Sequence, residues 1–186
     1  MKKFDIGENT LLLALVIIFV GCSFLANRKS TKTPKNTQQT ECFADTLTKH
    51  YDLVVVELAM IDEYGNEEPT QDSVLYVMSR VGIEHPHIAY AQMLLESGHF
   101  NSNLVKTNNN YFGMKQPCVR NTVSLGKKNG YASYKNWAWS VLDYALWQWH
   151  CAKNLTQEEY LALLGRMYAE DKRYVEKIKS ISENLI

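Results

Sequence analysis

The sequence predicts a mainly α domain of the α+β kind, helical throughout except for one small β-hairpin, and three observations carry the prediction. Beyond residue 42, apolar side chains recur at helical spacing in most segments. Proline and glycine punctuate those segments at helix-like lengths. Only one stretch, around Asn129-Gly130, has the pattern of two short strands joined by a tight turn. A chain of 186 residues with 46% hydrophobic content suits a single globular core once the first 40 or so residues are set aside.

The N-terminal residues 1–26 read as a targeting segment. Met1-Lys2-Lys3 is basic, Leu11 to Phe19 contains no polar residue, and the apolar stretch continues to Ala26. Its length from Leu11 falls short of the roughly 20 residues that span a bilayer and fits an export signal. Val20-Gly21-Cys22-Ser23 resembles a bacterial lipobox, which makes Cys22 the expected lipidation site. Phe19 stands where that motif usually has Leu, and Asp5 and Glu8 are unusual before it. An uncleaved anchor is the alternative, opposed by Arg28, Lys29, Lys32 and Lys35 just beyond. Either way a membrane is an expected partner through the N-terminus. Asn27 to Glu41 is rich in Lys, Thr, Asn and Gln, so residues 27–42 form a flexible polar tether and 43–186 the folded domain. Cys42, Cys118 and Cys151 are an odd set; a Cys118–Cys151 disulfide and unpaired packing cysteines are both open.

Within the domain, Ala44 to Tyr64 is long enough to favour helix over strand despite its Val54-Val55-Val56 run. Thr70 and Asp72 can cap a helix that buries Val74, Leu75, Val77, Met78 and Val81 and stops at Gly82. Pro86 opens the next helix, where its missing amide proton costs nothing, and Gly98 closes it. Arg120 to Leu125 and Tyr131 to Tyr134 are the expected hairpin strands. Trp137 to Ala152 is helical, with Trp137, Val141, Tyr144, Ala145 and Trp149 along one side. Thr156-Gln157-Glu158-Glu159 is a capping box for a helix bearing Leu161, Leu164 and Tyr168. Asp171 begins a last helix packed through Val175, Ile178, Ile181 and Leu185.

The chemistry concentrates at the end of the Pro86 helix. Glu96 lies one turn beyond Gln92 and Met93 and two beyond Ala89, so its carboxyl shares a face with mostly apolar neighbours. Such surroundings disfavour the charged form, raise the pKa and let the group donate a proton near neutral pH. Thirteen residues beyond Glu96, Asn109-Asn110-Tyr111-Phe112-Gly113-Met114-Lys115 is a polar, glycine-punctuated loop.

Ala91-Gln92-Met93-Leu94-Leu95-Glu96-Ser97-Gly98 resembles the Ala-Gln-(apolar)-Leu-Glu-Ser/Thr-Gly signature of the bacterial cell-wall glucosaminidases, glycoside hydrolase family 73. These are lysozyme-like enzymes that cut the glycan strands of peptidoglycan. The likeness extends in order through the Asn109–Lys115 loop, the hairpin ending Tyr131-Ala132-Ser133-Tyr134, the aromatic helix from Trp137 to Asp143-Tyr144, and Tyr168-Ala169-Glu170-Asp171-Lys172-Arg173-Tyr174, over about Thr70 to Ile181.

The resemblance implies a lysozyme-like fold with the hairpin beside the cleft, and a peptidoglycan hydrolase that cleaves at N-acetylglucosamine β-1,4 linkages on the outer side of the membrane. Glu96 is then the general acid and Tyr168 an aid to positioning. Ser97, Asn109, Asn110, Tyr111 and Tyr131 become substrate-binding candidates, whereas Phe112 and Gly113 shape the loop. Most glycosidases need a second carboxylate, yet no Asp or Glu occurs from Ser97 through Leu142, and the glutamate that some members carry on this hairpin is missing. The sugar's own 2-acetamido oxygen, Asp143 and Asp171 are the remaining sources, both aspartates having ready structural explanations.

Two other readings compete. Glu96-Ser97-Gly98-His99-Phe100-Asn101 resembles the Glu-Ser-x-Phe-Asn start of lytic transglycosylases, in which a lone acid suffices. A non-catalytic peptidoglycan-binding module of an envelope-spanning machine is the other. With 20 basic and 20 acidic residues the chain carries no net charge and no pull toward nucleic acid. His85, His87, His99 and His150 have no metal-ligand spacing with the cysteines, so no cofactor or metal is expected.

Overall fold

The computed structural model describes residues 57–167 and 171–185. The targeting segment with Cys22, the tether with Cys42, the Val54–Val56 run and Tyr168 lie outside the described residues. Helical turns over 57–65 (α1) come first, then α2 (Gln71–Arg80), α3 (Pro86–Ser97), α4 (Asn103–Asn108), strands β1 (Gly126–Lys128) and β2 (Tyr131–Ser133), and helices α5 (Trp137–Cys151), α6 (Gln157–Met167) and α7 (Tyr174–Glu183). Among the described residues the fold is mainly helical with one two-stranded antiparallel sheet, as the periodicity predicts. Among the described residues no helix is long and apolar enough to cross a membrane.

The capping chemistry explains the helix starts. Thr70 and Ser73 exchange side-chain and backbone bonds at the start of α2, which buries Val74, Val77 and Met78. Thr156 and Glu159 do the same for α6, which buries Tyr160, Leu161 and Leu164. Helix α3 is buried from Ile88 through Met93 on every side, which makes it the central helix. It packs against α2 and, most extensively, α7, whose Tyr174 and Ile178 are buried. Its entry is fixed by Gln148 of α5, whose amide accepts from the Glu84 N–H at 2.7 Å and donates to the Glu84 carbonyl at 2.9 Å.

Four expectations need correcting. The first strand is Gly126–Lys128, not Arg120 to Leu125, because Asn129 and Gly130 both have positive φ and close a two-residue turn that pairs Lys128 with Tyr131 and Gly126 with Ser133. One further bond, from the Leu125 N–H to the Ser133 carbonyl, ends the ladder; Arg120, Thr122 and Val123 turn away to Asp143. Trp149 does not line the core: it is 67% exposed, with the Lys153 ammonium 4.8 Å from its ring centre, whereas Trp137, Trp139 and Trp147 are buried. Asp171 precedes the last helix instead of occupying it, accepting from the Arg173 N–H at 2.9 Å while α7 starts at Tyr174. Cys118 and Cys151 are free and exposed, so neither pairing nor packing describes them.

Candidate active site

Glu96 occupies the last turn of α3, and the chain then leaves the helix through three successive left-handed residues, Gly98, His99 and Phe100, at φ of 57°, 52° and 67°. For a bulky residue such as Phe100 that conformation is strained and must be held by its surroundings. Its ring meets Tyr90 and Tyr111 edge-on at 6.4 and 5.4 Å, and its N–H donates to the Ser97 hydroxyl at 3.0 Å. Ser97 is wholly buried and donates onward to the Leu94 carbonyl, so its hydroxyl closes the turn behind the carboxylate.

The Glu96 carboxyl is half-buried. The Tyr174 hydroxyl donates to its Oε1 at 2.7 Å, and its Oε2 faces Gly113, where a β-carbon would stand 3.4 Å away. Gly113 has φ of 64°, so it supplies both the turn and the space that let the loop approach the acid. Burial raises the Glu96 pKa above the ordinary carboxylate value, and the Tyr174 bond offsets part of that rise by favouring the ionised form.

The loop opposite is built from its own polar side chains. Asn108 donates to the carbonyls of Lys128 and Ala132, and Asn109 to those of Tyr134 at 3.1 Å and Lys135 at 2.9 Å. Asn110 is fully buried; its amide donates to the Met114 and Ala132 carbonyls and accepts from the Met114 N–H. These bonds tie the loop to β2 and aim Gly113 at Glu96. The buried Tyr111 receives its backbone position from Ser140, whose Oγ accepts the Tyr111 N–H at 3.1 Å, and burial pushes its phenol up to about 12. Phe112 stacks on Tyr144 at 4.0 Å. Tyr131 is half-buried, with the Lys115 ammonium 3.3 Å above its ring.

Neither later aspartate is a free second carboxylate. Asp143 is completely buried and accepts five hydrogen bonds: two from Arg120, and one each from the Thr122 hydroxyl, the Val123 N–H and the Tyr134 hydroxyl. Asp171 pairs with Lys177 at 2.6 Å, and that bond, helped by the Arg173 N–H, lowers its pKa. A depression of about 390 Å³ runs beside the site, lined by Leu95, Arg173, Glu176, Lys177, Ser180 and Ile181. It omits Glu96 and its charged groups are exposed, whereas the Glu96 carboxyl is half-buried between Tyr174 and Gly113.

The structure thus brings Glu96, Ser97 and the Asn109–Gly113 loop together. It also shows a contact that sequence reading passed over. Tyr174, noted only as the end of a motif, bonds the acid across 78 residues of chain, and nothing in its local spacing announces that.

The family model for glucosaminidase, described as mannosyl-glycoprotein endo-beta-N-acetylglucosaminidase, matches residues 71–186. Among solved structures, the catalytic domain of the autolysin Auto from Listeria monocytogenes aligns over 100% of this chain and 98% of its own, at 18% identity and a TM-score of 0.40. No curated protein sequence matches the chain.

Proposed function

Because the chain belongs to the glucosaminidase family of glycoside hydrolases, we propose that it hydrolyses the glycan strands of peptidoglycan at N-acetylglucosamine β-1,4 linkages, with Glu96 as the general acid. The observation that carries this is the Glu96 carboxyl itself: half-buried, its pKa raised by burial, and facing Gly113, where an added β-carbon would touch it at 3.4 Å. Protonated Glu96 gives its proton to the glycosidic oxygen as the bond to the anomeric carbon breaks and positive charge spreads onto the ring oxygen. Tyr174 fixes the carboxyl rotamer and, once the proton has gone, stabilises the carboxylate that remains.

The engagement of Asp143 and Asp171 elsewhere supports substrate assistance. The 2-acetamido oxygen of the sugar attacks the anomeric carbon as the leaving group departs, and water then opens that ring with ionised Glu96 accepting its proton. Two inversions leave the anomeric configuration retained. Asn109, Tyr111 and Tyr131 border the loop and hairpin that the sugar would meet. Ser97 and Asn110 serve instead by holding the turn and the loop, since their polar atoms are already spent there. Residues 1–26 hold the enzyme to the outer face of the membrane, through a lipid on Cys22 or as an anchor, and 27–42 tether the domain 43–186 to it.

The test uses purified sacculi. The parent releases muropeptides with reducing N-acetylglucosamine ends, and Glu96→Gln loses about 100-fold to 10,000-fold in turnover, the usual contribution of a positioned acid, while remaining folded. No release by the parent, 1,6-anhydro ends, or unchanged turnover in the variant overturns the proposal.

A further inference from the structure

From Ser97 through Leu142 the chain has no acid but six cations, Lys106, Lys115, Arg120, Lys127, Lys128 and Lys135, although basic and acidic residues balance at 20 each over the whole sequence. Asp143 neutralises Arg120 and Asp62 neutralises Lys135. Among the described residues no carboxylate pairs with the other four. Two of these adjoin Tyr131, one over its ring and one as its strand partner. Lys128 is the register partner of Tyr131, so both side chains leave the same face of the hairpin, and the Lys128 ammonium is steadied by the Thr107 carbonyl at 2.7 Å. The exposed Lys115 ammonium lies 3.3 Å over the same ring, held there by the negative face of the π system. Lys115 is two residues from Gly113, which faces the acid.

We propose that Lys115, Tyr131 and Lys128 form a subsite for the carboxylates of the stem peptides attached to the strand being cut. This rests on the peptidoglycan reading above and adds a determinant to it. In a peptide-bearing strand the N-acetylated glycan backbone is uncharged, so the ammonium groups of the loop and hairpin have nothing to pair with on the sugars. The stem peptides carry free carboxylates and are bonded to the strand itself, which brings them to the loop that bears Gly113. Holding Lys115 on an aromatic ring also removes part of the side-chain entropy that an exposed ion pair normally costs.

The experiment compares kcat/KM on glycan strands bearing their stem peptides with kcat/KM on the same strands after carbodiimide coupling to methylamine has converted the peptide carboxylates to neutral amides. The parent favours the strands with free carboxylates. In Lys115→Gln/Lys128→Gln that preference falls about threefold to tenfold, the range two exposed ion pairs supply, and added salt erases it in the parent. Lys115→Arg/Lys128→Arg keeps the preference, which separates loss of charge from damage to the hairpin. Equal preference in the parent and the Gln variant overturns the subsite. So does a loss seen only on walls that retain phosphate polymers and absent after these are stripped, because the anion recognised is then a phosphate. A parent inactive on both substrates fails the glucosaminidase reading instead.

Discussion

Asp143→Ala is expected to cost more stability than any surface substitution, and the magnitude follows from its contacts. The carboxylate is 0% exposed and the Arg120 guanidinium 7% exposed, so deleting the acid leaves a cation that water hardly reaches. Breaking a buried pair from one side costs about 3–5 kcal/mol. The Tyr134 hydroxyl, the Thr122 hydroxyl and the Val123 N–H lose their acceptor in the same step, which sets 3 kcal/mol as an approximate floor. Urea denaturation reads this as a lower midpoint at unchanged slope, and thermal unfolding as a Tm about 6 °C or more below the parent. Lys177→Ala, which breaks an exposed pair of 43% and 40% exposure, is the control and should leave the urea midpoint close to the parent's. Replacing both partners, as in Arg120→Met/Asp143→Leu, should recover the part of the loss due to the stranded cation, while Thr122, Val123 and Tyr134 still lack this acceptor. A loss below about 1 kcal/mol for Asp143→Ala would refute the argument, as would an Asp143→Asn enzyme that keeps the parent's urea midpoint yet has no turnover, because the aspartate would then be acting on substrate.

Other outcomes follow from the acid and its neighbours. Tyr174→Phe removes a bond that lowers the Glu96 pKa, so the carboxyl holds its proton to higher pH and the alkaline limb of kcat/KM moves upward; a downward move in the pH profile would contradict the contact. Because burial raises the Glu96 pKa in the folded state, its contribution to stability is complete below the unfolded carboxylate pKa and is lost as pH rises through the folded value. Glu96→Gln abolishes that slope, and denaturation midpoints across pH will show the variant gaining on the parent toward neutrality. Gly113→Ala places a β-carbon at positive φ and 3.4 Å from the carboxyl, costing about 1–2 kcal/mol in backbone strain and displacing the loop, which Tm and turnover measure together.

Much of the fold was legible because its signals are local. The Thr70 and Thr156 caps, Pro86 at the head of α3 and the Asn129-Gly130 turn each depend on residues within a few positions of one another, and each occurs as the sequence implies. The turn also shows where local reasoning fails: it fixed the hairpin register, but Arg120, Thr122 and Val123 left the ladder for a carboxylate on a later helix. Trp149 failed for a related reason, since helical spacing groups residues by face without saying how far along the helix the core extends.

For the site, the sequence alone determined that one carboxylate closes an apolar helix and that a polar loop follows it, because helical periodicity and composition are properties of neighbouring residues. Tertiary structure decided what that carboxylate touches. Tyr174 reaches it only because α7 packs along α3, and Gly113 faces it only because three asparagine amides bind their loop to β2 and the residues just after it. A pKa is set by the atoms within a few ångströms of the group, whatever their distance along the chain, so the raised proton affinity of Glu96 became definite only when the folded chain brought those atoms together.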